Sequence, residues 1–115
     1  MDLIVCLSTG KGTWGHVNRL ISDGKWGKVF IITNEFGKEN FSVKNGELIV
    51  IDSRQGLEEL RDDIYNALKN NVKEDVGLNF ISGTGKEHMA ILSAVLKLGV
   101  GLRFFALTKD GVKEI

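Results

Sequence analysis

The chain of 115 residues has the length of one domain, and its hydrophobic fraction of 43% is ordinary for a globular protein. Its 15 basic and 15 acidic residues balance, which argues against a long nucleic acid held by overall charge and leaves only a local site for an anion. The single cysteine, Cys6, lies in an apolar run, so the sequence predicts a buried core thiol and neither a disulfide framework nor a metal site.

The first half of the chain alternates between apolar runs and a helical pattern. Residues 3–7 and 29–33 are short, continuous apolar runs, which are typical of strands buried on both faces of a parallel sheet. Between them, residues 13–23 have helical periodicity, with Thr13 as a candidate cap. Residues 34–46 are polar and rich in glycine and asparagine, and they predict an irregular connection or a weak hairpin.

The second half continues this alternation and ends in a turn signal. Its predicted elements are a strand at 48–51, an amphipathic helix at 56–71, a strand at 78–81, an apolar helix at 86–98 that Gly99 ends, a strand at 102–107, and a tight turn at Asp110-Gly111 into a short edge strand at 112–115.

Strands that alternate with helices predict a parallel sheet with right-handed crossovers. We therefore expect a single α/β domain over residues 1–115, with a Rossmann-like open, mostly parallel sheet sandwiched by helices and a possible C-terminal antiparallel edge hairpin. No targeting segment precedes the first predicted strand, and the longest nearly apolar stretch, 89–98, is too short to span a bilayer. The sequence thus predicts a cytoplasmic protein without a membrane partner.

Two glycine-rich segments follow the first and fourth predicted strands. In a parallel sheet both lie at one edge, and each precedes a helix whose N-terminus presents unpaired N–H groups to an anion. Lys11 and Lys86 add a full positive charge to each segment. The sequence therefore predicts one phosphate-binding site, built from Ser8, Thr9, Gly10, Lys11, Gly12, Thr13 and Trp14 on the first segment and from Ser82, Gly83, Thr84, Gly85 and Lys86 on the second.

The predicted helix at 86–98 is apolar around most of its circumference, and chiefly Ser93 and Lys97 interrupt it. A helix that is apolar all round is buried on more than one side, and a small α/β domain has few places to bury one completely. We therefore expect a second copy of the chain to cover its outer face in a homodimer. The alternative is a central, well-covered helix in a monomer.

Neither glycine-rich segment is a P-loop, because Phe80 stands where that motif needs its first glycine and His16 stands where it needs lysine. Ordinary NTP hydrolysis is therefore not expected. Residues 10–15 do satisfy the Gly-x-Gly-x-x-Gly pattern after a strand, and Glu35 is near the position of the acidic residue that holds a ribose. A small Rossmann-like domain for a mononucleotide or a dinucleotide such as NAD is therefore an alternative.

The run Ser82-Gly83-Thr84-Gly85-Lys86, between a strand and a Met-Ala-Ile-Leu-Ser-Ala helix, resembles the signature of CARF domains, the CRISPR-associated Rossmann fold. The hydroxyl and the basic residue of this run stand four positions apart, as they do in that family. The segment at 8–13 is similar to the family's other ligand loop. The family often has Asp or Asn two residues before the hydroxyl, where this chain has Phe80, with Asn79 one position earlier.

The resemblance implies a homodimer whose two-fold cleft binds a cyclic oligoadenylate, a second messenger of type III CRISPR immunity. It implies either a sensor or a ring nuclease, in which a ribose 2′-hydroxyl attacks the adjacent phosphate without a metal or another cofactor. Lys86 is then the candidate for phosphate contact and transition-state stabilisation. Ser82 is a candidate hydroxyl donor or helix cap, and Lys11 is a candidate ligand contact.

Several other residues keep two interpretations. Trp14 either stacks on adenine or packs at the dimer surface. His16 and His88, the only histidines, either move a proton or are ordinary surface residues. Asn34 and Glu35 are expected to end the second strand at the same edge of the sheet, within reach of a ribose.

Overall fold

The computed structural model describes residues 1–8, 10–42 and 45–115, so Thr9 of the predicted phosphate site and residues 43 and 44 of the predicted connection lie outside the described residues. Its elements are β1 (Asp2–Leu7), a 3-10 turn (Lys11–Thr13), α1 (Trp14–Asp23), β2 (Val29–Thr33), α2 (Glu35–Asn40), β3 (Glu47–Val50), α3 (Leu57–Leu68), β4 (Val76–Asn79), α4 (Gly85–Leu98), β5 (Leu102–Thr108) and β6 (Gly111–Glu114). None of these described helices is long and apolar enough to cross a membrane.

Parallel pairing joins five strands in the order β3-β2-β1-β4-β5, and β6 pairs antiparallel with β5 at the edge. This confirms the α/β fold class, the mostly parallel sheet and the C-terminal hairpin that the sequence predicts. β1 and β4 lie side by side at the centre, where the winding of the chain reverses direction. Ligands of open α/β sheets bind beyond the carboxyl ends of strands at such a point.

The sheet is covered on both faces because its central strands are apolar at nearly every position. Alternate residues of β1 pack with α3 and α4 on one side and with α1 on the other, and all residues from Leu3 to Leu7 are fully buried. Cys6 belongs to the first of these cores, which confirms the predicted core thiol. Burial raises the pKa of Cys6, and the nearby Glu87 carboxylate acts in the same direction, so the thiol stays protonated.

A short helix occupies residues 35–40, so the described part of 34–46 departs from the irregular connection or weak hairpin that its composition predicts. This helix, α2, begins after Asn34, whose side-chain oxygen accepts a hydrogen bond from the Gly37 amide at 2.9 Å. Part of the polar composition is thus explained by a residue that caps the start of a helix. Asn34 and Glu35 directly follow β2 at the expected edge of the sheet.

β4 lies two residues earlier than predicted, at Val76–Asn79 instead of 78–81. Its pairing with β1 begins at Val76 and continues through Gly77, a residue that weakens the sequence signal of a strand. Phe80 and Ile81 therefore leave the sheet and lead into the turn before α4. Asn79, at the last position of the strand, is the polar residue at the end of β4.

α4 buries only one face within a single chain. Ala90, Ile91, and Val95 are fully buried in the core that α4 shares with α3 and the sheet, whereas Met89 and Leu96 are 61% and 60% exposed. The helix ends at Gly99 as predicted, with a left-handed φ of 75°. Within the chain, the helix is therefore covered on one side only, and exposed apolar side chains remain on the other side.

Candidate functional site

The turns after β1 and β4 are joined by hydrogen bonds between residues far apart in the sequence. The Ser8 amide donates to Ser82 Oγ at 3.2 Å, and the Ser8 hydroxyl donates to Glu87 Oε1 at 2.6 Å. All three residues are buried. The two glycine-rich segments therefore lie side by side at the point where the winding of the sheet reverses.

Glu87 is the centre of this junction, and it is absent from the site residues that the sequence predicts. It is only 1% exposed, and its Oε1 also accepts from the Thr84 amide at 2.8 Å and from Thr84 Oγ1 at 3.1 Å. Thr84 in turn accepts from the Glu87 amide, which completes a capping box. The cap of α4 is therefore Thr84 and not Ser82, and the Thr-x-x-Glu spacing is the signal that identifies both residues.

The turn before α4 passes directly over the buried Cys6. Gly83 has a φ of 105°, and a Cβ built there would lie 2.6 Å from Cys6 Sγ and 3.0 Å from His88 Nε2. A side chain at this position would both strain the backbone and collide with its neighbours. Glycine is therefore required here for close packing of the turn against β1.

Both histidines hold backbone groups in place. His88 Nε2 lies 2.7 Å from the carbonyl oxygen of Ser82, so this nitrogen carries the proton, and the ring stacks on Phe80 with 5.0 Å between centroids. His16 Nε2 faces two donors, the Leu107 amide and the Asn79 side-chain amide, each at 3.3 Å, and is therefore the unprotonated nitrogen. Loss of hydration lowers the pKa of His16, which favours this neutral form.

Lys11 and Trp14 form an aromatic cluster with α2. The Trp14 ring packs against Phe36 and Phe41, with centroids 5.8 Å away in each case, and its Nε1 donates to the carbonyl oxygen of Ser8 at 3.4 Å. The Lys11 ammonium lies 5.9 Å from the centroid of Trp14 and 5.7 Å from that of Phe36. Trp14 is thus packed within the chain, and the Lys11 side chain stays exposed above the cluster.

Lys86 extends from the first turn of α4 toward the connection between β3 and α3. Its Nζ donates to the carbonyl oxygens of Ser53 at 2.9 Å and Gln55 at 2.6 Å. An ammonium has three donors, so one remains for another acceptor. Gly10, Lys11, Gly12, Thr84, Gly85 and Lys86 are exposed, Thr13, Trp14 and Gly83 are half-buried, and Ser8 and Ser82 are buried beneath them.

A cleft of about 530 Å³ opens at the carboxyl ends of β2 and β3, and each of these two lysines contacts one residue that lines it. We call it the edge cleft. Lys11 borders it through Phe36, and Lys86 borders it through Ser53. A hollow of similar size, about 540 Å³, lies beside α1 near the start of β2 and is remote from both glycine turns. The residues that line the edge cleft are Asn34, Glu35, Phe36, Val50, Ile51, Asp52, Ser53 and Arg54.

The charges inside the edge cleft are largely compensated. Arg54 forms a two-pronged pair with Asp52, with Nε–Oδ1 and Nη2–Oδ2 distances of 3.0 and 3.2 Å. These hydrogen bonds hold the pKa of Asp52 below its usual value. Glu35 adds a second carboxylate. The full positive charges that remain therefore lie at the rim, on Lys11 and Lys86.

Within residues 1–8, 10–42 and 45–115, no group of three or more His, Cys, Asp or Glu side chains is arranged to hold a metal ion. None of the protein-family models, curated proteins or solved structures with which the chain was compared matches it. The two glycine turns and the edge cleft are therefore the features of the described residues that bear on function.

Glu87→Ala is expected to lower the free energy of unfolding by about 1–3 kcal/mol, because the Ser8 hydroxyl and the Thr84 amide lose their buried acceptor. Glu87→Gln keeps an acceptor oxygen and should lose less. Urea denaturation measures both changes. Glu58→Ala removes an exposed first-turn carboxylate of α3 and serves as the control, with an expected change within about 0.5 kcal/mol. Equal losses for Glu87→Ala and the control would contradict the assignment.

The His16 contacts predict a pH-dependent stability. The folded-state pKa lies below the unfolded value of 6.5, so the contribution of His16 is complete above pH 6.5 and is lost as the pH falls through and below that value. Unfolding free energies measured between about pH 8 and pH 5 should decline more steeply for the wild type than for His16→Gln, which keeps an acceptor but does not titrate. Parallel profiles for the two proteins would show that His16 is not the responsible group.

Proposed function

We propose that the chain binds a nucleotide through its phosphates at the carboxyl edge of the sheet, and that this nucleotide is a cyclic oligoadenylate of type III CRISPR signalling. The observation that carries the proposal is the junction of the two glycine turns through Ser8, with Lys11 and Lys86 each in contact with a residue that lines the edge cleft. The proposed role is that of a sensor or a ring nuclease.

The backbone at this edge suits a phosphate. The N-termini of α1 and α4 both face it, and helix N-termini combine free N–H groups with a partial positive charge. The space around Gly10, Gly12 and Gly85 is open, because a Cβ built at any of them would meet nothing within 4 Å. Ligand oxygens therefore have access to the backbone at three positions, and the two lysines supply full charges beside them.

The surface next to the second turn supports a homodimer. Ile81 directly precedes the second glycine turn and is 49% exposed. Met89, which lies on α4 after the same glycine turn, is also exposed. Leu96 and Phe104 extend the exposed apolar surface along α4 and β5. A second copy docked on this surface would bring its own turn beside the first, and a ring of repeating adenylates matches such two-fold symmetry.

Ring cleavage would require little from the protein beyond alignment and charge. A ribose 2′-hydroxyl attacks the adjacent phosphorus and gives its proton to solvent, while the bond from phosphorus to the 5′-oxygen breaks and the 5′-oxygen takes a proton from solvent. The products are a 2′,3′-cyclic phosphate and a 5′-hydroxyl group, and negative charge grows on the phosphate oxygens in the transition state. Lys86, with one free donor, is the proposed stabilising group. The proposal assigns no proton transfer to His16 or His88, because their Nε2 atoms are engaged by the backbone. Ser82 is buried, so its proposed role is to position the first turn.

A mononucleotide or dinucleotide domain is the second candidate. The parallel order β3-β2-β1-β4-β5 and the position of Glu35 after β2 favour it, since Rossmann domains share this order and hold a ribose with such an acid. The third glycine of the pattern does not fit the dinucleotide fingerprint. A Cβ at Gly15 would meet nothing within 4 Å, so this glycine serves no close packing of helix on strand.

A ligand panel tests the proposal. Unfolding is measured with cyclic tetra-adenylate, cyclic hexa-adenylate, ATP and NAD, and the incubated ligands are chromatographed. A ring at 100 times its dissociation constant should stabilise the protein by about 2.7 kcal/mol. Sedimentation of the same samples should give twice the monomer mass of 12.7 kDa. Stabilisation by ATP or NAD alone favours the second candidate, stabilisation by none of the four contradicts both, and intact rings after long incubation leave only the sensor.

Lys86→Ala is expected to weaken binding of the stabilising ligand by about tenfold or more, because a charged hydrogen bond to phosphate is lost. Titration calorimetry measures the change. Lys97→Ala is the matched control, since it removes an exposed lysine from the last turn of the same helix. Equal affinities for the two variants would remove Lys86 from the site.

A further inference from the structure

We infer that the edge cleft is the subsite for the base and ribose of the bound nucleotide, with the base held between the Phe36 ring and the Arg54 guanidinium. The inference rests on the proposed function, because it concerns the same ligand. It assigns a purpose to residues that lie outside both glycine turns.

Phe36 presents an exposed aromatic surface to the cleft. It is 47% exposed, although Trp14 packs on it at 5.8 Å and the Lys11 ammonium lies 5.7 Å from its centroid. These contacts cover part of the ring and leave nearly half of the residue's surface open. Any of the nucleotide bases can stack on such a ring, because every base has a π-face.

Arg54 presents a second planar surface in the same cleft. Its side chain is 89% exposed, its guanidinium makes two hydrogen bonds to Asp52, and its own backbone amide also donates to Asp52 Oδ1 at 3.0 Å. The pairing uses the edge of the guanidinium and leaves its faces free. Guanidinium planes stack on aromatic rings and on bases, so Arg54 suits a neutral planar group.

The distribution of charge separates the two ends of the ligand. Asp52 compensates Arg54, and Glu35 adds negative charge, so the interior of the cleft repels phosphate. The carboxylate of Glu35 is instead an acceptor for ribose hydroxyl groups. Lys11 and Lys86 attract the phosphates to the rim. A nucleotide can place its phosphates at the lysines of the rim and its base and ribose in the cleft, whereas an inorganic phosphate can bind only at the rim.

Two conservative variants test the subsite. Phe36→Leu keeps an apolar side chain but removes the π-face, and Arg54→Lys keeps the charge opposite Asp52 but removes the planar face. Each should weaken binding of cyclic tetra-adenylate, cyclic hexa-adenylate or ATP by about tenfold, and neither should change binding of inorganic tripolyphosphate. Lys86→Ala should weaken the binding of all of these probes, tripolyphosphate included. Arg19→Lys is the matched control, since Arg19 is exposed and pairs with Asp23 on α1, away from the cleft.

The outcomes separate this inference from the proposed function. If the wild type binds the nucleotides, and the two variants bind the nucleotides more weakly but bind tripolyphosphate unchanged, the subsite is supported. If the wild type binds the nucleotides and both variants bind them as tightly as Arg19→Lys does, the subsite is wrong and the proposed function stands. If both variants lose affinity for the nucleotides and for tripolyphosphate to the same extent, the cleft holds no base. If the wild type binds none of the probes, the proposed function and the subsite both fail.

Discussion

The position of the two glycine turns depends on one buried carboxylate. Glu87 is almost completely removed from water, a costly placement for a charged group unless hydrogen bonds replace the lost hydration. Ser8 and Thr84 supply those bonds, and the N-terminus of α4 supplies a favourable dipole. Because Ser8 follows β1 and Thr84 follows β4, the carboxylate fixes the ends of two central strands relative to each other. The same bonds that stabilise the start of α4 therefore hold the two glycine turns side by side.

The sequence predicted the sheet and the meeting of its loops better than it predicted the bonds within them. β1 and β2 are continuous apolar runs, and parallel pairing then requires their following loops to share one edge. Glu87 is absent from the predicted site because its contact with Ser8, 79 residues away, has no local pattern that reports it. Only the Thr84-x-x-Glu87 half of the junction is visible in the sequence. α2 was missed because six residues carry too little periodicity to distinguish a helix from a polar loop.

Side-chain direction was the other property that the sequence did not determine. The apolarity of α4 is evident from composition, but Ile91 is buried and Leu96 exposed because α3 and the sheet cover only one side. Lys86 was correctly placed in the first turn of α4, yet its ammonium reaches the carbonyl oxygens of Ser53 and Gln55. Those acceptors belong to a connection more than thirty residues earlier. Such choices follow from tertiary packing, which residue spacing alone does not encode.

The packing of Gly83 over Cys6 gives the molecule an internal reporter. The only thiol of the chain lies under the turn that a ligand would touch, and it is fully buried while that turn is closed. A thiol reagent reaches Cys6 only when the turn lifts, so the rate of labelling measures how often the turn opens. A molecule that clamps the turn would slow labelling, and one that binds beside α1 would leave the rate unchanged.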